Sequence, residues 1–167
     1  MNVVAVEPRV LVLGVGNPQR GDDGVGPCAV RCFIDLWRGP SWPGLRVASI
    51  AGEATALLDQ LEQADHVFII DACHAGASPG ALLRFDAHIR PLPARHFTLS
   101  SHGPGLAEAL ELARALDVMP AQCIVYAIEG ESYAPGAPLS CRAKRGAMRA
   151  VIRIQREIRG LARLAGA

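Results

Sequence analysis

Asp23, Asp71 and His102 are the residues whose types and surroundings point to chemistry in this chain. Asp23 follows Asp22 in VLVLGVGNPQRGDDGVG, Val10 to Gly26, where an apolar run passes straight into a glycine-rich turn. Glycines at such a turn allow positive φ and let a ligand come close to the backbone. Asp71 closes a second apolar run, and HVFIIDACHAG repeats the grammar of the first unit with an acidic residue, small residues and glycine. His102 lies in SSHGPG, just ahead of a helical pattern. Two carboxylates and one imidazole nitrogen, with positions left open, suit Ni²⁺, Zn²⁺ or a similar borderline ion. Each residue also has a plainer reading. Asp23 is a favoured helix cap, Asp71 fits a turn, and a lone His beside a cap is often structural. Only convergence in space would make the three a site.

The elements that must bring them together follow from periodicity. Val10–Val15 is apolar almost without interruption and reads as a strand buried on both faces. A helix from Gly26 to Arg38 follows, with Pro27 in its first turn, Ala29, Phe33 and Leu36 along one face, and Gly39-Pro40 as its stop. Leu45–Ile50 and His66–Ile70 read as further strands, with a helix over Ala54–Gln63 between them. Ala81–Asp86 is a fourth strand, reached by a turn too short for a helical crossover and so antiparallel. The segment 87–103 has no clear period, and a loop of that length in a compact domain is often functional. Gly105–Leu116 reads as a helix, Cys123–Ile128 as a fifth strand, and Ser140 as the N-cap of a final helix ending near Leu164.

The order βαβαββαβα predicts a three-layer α/β/α sandwich around a mainly parallel sheet, with one domain over residues 1–167. Ligands collect at the carboxyl ends of parallel strands, above all where the strand order reverses. Asp23 follows the first strand and Asp71 ends the third. If the second strand flanks the first on its outer side, those two ends are neighbours. The helix after His102 feeds a parallel strand, so it starts at the same edge.

Other chemistries fit less well. The glycine turn is no dinucleotide fingerprint, because the third glycine of GxGxxG is replaced by Gln19 and the acidic pair would repel a pyrophosphate. There is no Walker lysine, and Ser100 and Ser101 lack a nucleophile elbow. Cys73 is a weak candidate for a nucleophile, Cys28 and Cys32 share a helical face, and five cysteines without a CxxC pair give neither a disulfide framework nor a zinc knuckle. Glu129 fits either a cleft-lining residue or a solvated strand end. A net charge of +1 with scattered Arg residues, except near the C-terminus, gives no long basic stripe for nucleic acid or for steering a polyanion. No signal-like or membrane-spanning segment is evident, which predicts a cytoplasmic protein without a membrane partner.

Taken together, GVGNPQRGDDGVG, ADHVFIIDACHAGASPGAL, SSHG and VYAIEGESYAPGAPLS resemble the hydrogenase maturation endopeptidases, which trim the large subunit of nickel-iron hydrogenases. The resemblance implies a five-stranded mixed sheet with its fourth strand antiparallel, here in the expected order 2-1-3-5-4. It implies that Asp23, Asp71 and His102 are the residues that contact nickel and act in the cleavage. The nickel would belong to the [NiFe] hydrogenase large-subunit precursor, whose C-terminal extension is removed, and no organic cofactor is implied. Many relatives carry an Asp-Gly-Gly-Thr-like turn after the second strand. Here the stretch is Ser49-Ile50-Ala51-Gly52-Glu53-Ala54-Thr55, so substrate contacts made by that Asp do not transfer. Two other readings use the same trio: a zinc-dependent hydrolase with its own bound metal, and a nickel-dependent assembly factor that binds the precursor without cutting it.

Overall fold

The computed structural model describes residues 8–97 and 105–165. Its elements are β1 (Val10–Val15), α1 (Val25–Leu36), β2 (Leu45–Ile50), α2 (Ala54–Leu61), β3 (His66–Cys73), β4 (Leu82–Asp86), α3 (Leu106–Ala115), β5 (Gln122–Glu129) and α4 (Cys141–Ala165). The strands form one sheet in the order β2-β1-β3-β5-β4. β1 pairs in parallel with β2 and β3, β3 with β5, and only β4 runs antiparallel, against β5. This is the three-layer α/β/α sandwich that the chain order predicts.

Alternate residues of the buried strands feed two cores, as the period of two requires. Phe68, Ile70, Ile124, Tyr126 and Ile128 face α1 and α4, while Val67, Ile69, Cys123 and Val125 face α2 and α3. α1 lies almost directly on the sheet backbone. A methyl group added to Gly26 would sit 2.3 Å from the Val15 carbonyl oxygen and 2.5 Å from that of Ile70. Only glycine permits that approach.

Several boundaries differ from the periodicity reading. A 3₁₀ turn, Gly21–Gly24, precedes α1, and α1 stops at Leu36, ahead of the Gly39-Pro40 signal. Leu36 is exposed, whereas Ala29 and Phe33 are buried as expected. β3 does not end before Asp71. The ladder with β5 continues through Asp71↔Ala127 to Cys73↔Glu129, because this end of β3 keeps a hydrogen-bonded partner. α4 begins where Ser140 caps it, the Ser140 hydroxyl accepting from the Ala143 N–H at 3.1 Å. No helix among the described residues is long and apolar enough to cross a membrane.

Candidate functional site

The carboxyl edge of β1, β3 and β5 gathers the acidic residues, and the turn after β1 separates their roles. Gly16, at φ +131, turns the chain off β1, and a methyl group there would fall 1.9 Å from the Asp23 carbonyl oxygen. The 3₁₀ turn can therefore fold back over the strand end. Asp22 points away from the cleft into a buried pocket of donors. Its carboxylate accepts from the N–H of Glu131 and of Ser140, both at 2.7 Å, and from the Ser140 hydroxyl at 2.9 Å. Three such bonds satisfy a buried charge, so Asp22 clamps the turn to the segment that leads into α4. The adjacent backbone repeats the clamp, with Asp22 N–H on the Ser132 carbonyl and Gly21 N–H on that of Ala137.

Asp23 is left half-buried, with one oxygen accepting from the Asn17 N–H at 3.1 Å. Burial raises its pKa, offset in part by the Asn17 bond and by the charge of Arg20. Asp71 is buried on β3 and, among the described residues, accepts only from the neighbouring Ala72 N–H, at 2.7 Å. Burial, followed by repulsion from Asp23, pushes its pKa up to about 8, against the weaker pull of the Ala72 bond. Asp23 and Asp71 thus lie close enough to repel one another, as the strand order required. Their shared edge can hold a proton on Asp71 at neutral pH and would gain from an incoming cation.

His102 lies outside the described residues. The residues that bracket its segment are placed: a methyl group on Gly105 would meet the Phe97 carbonyl oxygen at 2.6 Å, and the His74 N–H donates to the His96 carbonyl at 2.8 Å. Among the described residues no group of three His, Cys, Asp or Glu side chains is arranged to hold a metal ion.

The loop after β3 has an organiser that neither sequence reading of Glu129 anticipates. Glu129 is 2 % exposed, neither solvated nor open to the cleft. Its carboxylate accepts from the Ala75 N–H at 2.8 Å and the Gly76 N–H at 3.2 Å, and the Cys73 thiol lies 3.6 Å away. The Tyr133 hydroxyl donates to the Cys73 carbonyl at 2.7 Å, closing the same corner. Burial and the Glu129 charge push the Cys73 thiol up to about 12, which removes it as a nucleophile at neutral pH. Cys28 and Cys32 are half-buried neighbours on α1. His66 bonds Gln122 and His88 the Pro120 carbonyl, so neither joins the site.

An α/β/α sandwich with a mixed five-stranded sheet, carrying paired desolvated carboxylates at its parallel carboxyl edge, defines a class of ligand-binding or hydrolytic domain. Comparison narrows it to one family. The family profile "HycI: Hydrogenase maturation protease" matches residues 51–157, and the chain belongs to that family. Asp71 falls within the matched span and Asp23 precedes it. The chain is 29% identical over 126 residues to the hydrogenase expression/formation protein HoxM of Azotobacter vinelandii, covering 74% of this chain and 59% of HoxM. It thus spans less than two thirds of the length of that relative. The fold is shared with the hydrogenase maturating endopeptidase HybD from Escherichia coli, at TM-score 0.73 and 24% identity, over 91% of this chain and 93% of that one. An endopeptidase from Escherichia coli superposes at TM-score 0.76 and 24% identity, over 87% and 89% of the two chains.

Proposed function

We propose that the protein is an endopeptidase that removes the C-terminal extension of a nickel-loaded [NiFe] hydrogenase large-subunit precursor, with Asp23, Asp71 and His102 meeting the nickel that the substrate carries. The observation that supports this reading most is the juxtaposition of Asp23 and Asp71 at the carboxyl edge of β1 and β3 in a chain of the maturation protease family. Two carboxylates that repel each other out of water are costly unless a cation joins them. A substrate that brings its own dication relieves that repulsion on docking and needs no metal stored in the protease. His102 joins this reading through the family resemblance and its place in the sequence shortly ahead of α3, a helix that packs on the same face of the sheet as Val67 and Ile69 of β3.

In this reading the substrate's metal polarises the scissile carbonyl or a water molecule, and Asp71, which can carry a proton at neutral pH, or Asp23 moves the proton that cleavage requires.

Intact-mass analysis of the precursor, nickel-loaded and nickel-free, before and after incubation with the protein tests the proposal. Loss of a C-terminal peptide from the loaded form alone is expected, and Asp71→Asn should abolish it while leaving the protein folded. Full activity in that variant would remove Asp71 from the site. A stable complex without a mass change would instead make the protein an assembly factor, and stoichiometric metal in the purified enzyme would make it a zinc-type hydrolase.

A further inference from the structure

The charge of this chain is almost balanced in total and strongly separated in space. α4 carries eight of the 17 Lys and Arg residues and one of the 16 Asp and Glu residues, so this one helix has a formal charge of +7 and the rest of the chain −6. The sequence reading set the arginines near the C-terminus apart but saw no long basic stripe, and the helical period corrects that second point. Ala143, Ala147, Ala150, Val151, Ile154 and Ile158 are buried against the sheet, and Arg142, Arg145, Arg149, Arg153, Arg156 and Arg163 fall on the outer side. A rise of 1.5 Å per residue makes the stripe about 30 Å long.

Part of the charge is already used. Arg142 pairs with Glu131 at 3.5 Å, Arg149 donates to the Gly80 carbonyl, and Arg159 lies over the Trp37 ring. Lys144, Arg145 and Arg156 have no side-chain partner among the described residues. Between the guanidinium groups stand Met148, 37% exposed, and Ile152, 43% exposed. Pro79, Arg142, Arg145, Met148 and Arg149 line a depression of about 410 Å³ beside the first turns of α4. An apolar floor ringed by arginines matches the composition of protein interface centres.

We propose that the outer face of α4 is the docking surface for an acidic face of the protein substrate, steering and orienting it before its metal reaches Asp23 and Asp71. This rests on the proposed function for the identity of the substrate. The helix starts at the rim of the site, because Ser140, the residue before α4, donates both its N–H and its hydroxyl to Asp22, next to Asp23. A substrate seated along α4 therefore reaches the carboxyl edge at one end. The chemistry of the face selects among polyanions. Its apolar side is buried in the core, so it cannot insert into a bilayer as an interfacial helix does. It offers no aromatic side chain for base stacking. Methionine and isoleucine among arginines suit carboxylate side chains on a folded protein surface.

The test compares wild type with the double reversal R145E/R156E, and with R90E, which makes the same kind of change on the loop held by Arg114 of α3. The replaced side chains are exposed, so all three proteins should melt together. Binding of the nickel-loaded precursor is measured at about 50 and 200 mM salt, with cleavage followed by intact mass. R145E/R156E should raise the Kd and KM about tenfold or more at low salt, flatten the salt dependence, and leave kcat within about twofold, while R90E behaves as wild type. Unchanged binding by R145E/R156E overturns the docking surface while leaving cleavage by wild type intact. Loss by R145E/R156E of binding to duplex DNA or to phosphatidylserine vesicles, with precursor binding unchanged, overturns it in favour of those polyanions. A wild type that neither binds nor cuts the precursor refutes the functional reading and this surface with it.

Discussion

Replacing Asp71 by Asn should make the protein more stable at neutral pH. Asp71 is buried, its only bond among the described residues is to the Ala72 N–H, and its pKa rises from an ordinary 3.8 to about 8. Between these values the unfolded chain has released a proton that the native protein retains. The unfolded state then binds fewer protons, so stability falls as pH rises, by about 1.4 kcal/mol per pH unit for this group. Its contribution is complete below about pH 4 and lost as pH rises through 8. At pH 7 the native state has given up about 4 kcal/mol relative to the acid limit. Asparagine is close in shape, keeps an oxygen for the Ala72 N–H, and never ionises. For a protein of this size, 4 kcal/mol corresponds to a rise in Tm on the order of 10 °C. Urea melts of wild type and Asp71→Asn from pH 5 to 8 isolate the effect of Asp71 and its coupling to Asp23, because titrating groups that do not interact with Asp71 cancel in the difference. The gap should be about 1.6 kcal/mol at pH 5, about 4 kcal/mol at pH 7, and level off as pH passes 8. A gap that stays flat across this range, or an Asp71→Asn protein weaker than wild type at pH 8, would refute the account of Asp71 as a desolvated carboxyl repelled by Asp23.

Asp22→Ala removes the charged acceptor of three part-buried hydrogen bonds, from the Glu131 and Ser140 N–H groups and the Ser140 hydroxyl, so urea melts should show a loss of about 3 kcal/mol. Cys73→Ala should leave precursor processing within about twofold of wild type, and the native Cys73 thiol, held near 12, should resist alkylation at pH 7.5 until the protein unfolds, as read by mass after iodoacetamide. A Cys73 that alkylates in the native protein would disprove its burial against Glu129.

The strand order and the pairing of Asp23 with Asp71 were legible because both rest on local signals: apolar runs that end in glycine or acid, and a fourth strand reached by a turn too short for a crossover. What stayed hidden depended on distant partners. Asp22 and Asp23 are indistinguishable in GDDG, and the residue that separates them is Ser140, 118 positions away. Glu129 could be read only as cleft or solvent, because its donors at Ala75 and Gly76 belong to another strand's loop. β3 outran its expected end because Asp71 looks like a terminator in sequence, yet its backbone still pairs with Ala127. The cluster of arginines near the C-terminus was visible in the sequence, but the face they form on α4 was missed because their total was weighed instead of their period.

The parallel register of the central strands sets when the site can exist. Val10 pairs with His66, and His66 with Gln122, so each ladder joins positions 56 residues apart. Contacts of such separation form late, after long loops have closed. During synthesis β1 and β3 would leave the ribosome well before β5, and β3 has β5 as its other neighbour in the sheet. Asp23 and Asp71 meet only across the β1–β3 pair. A chain in which β1 and β3 have not yet paired thus presents two separate aspartates, so the proposed cleavage would have to wait for that pairing.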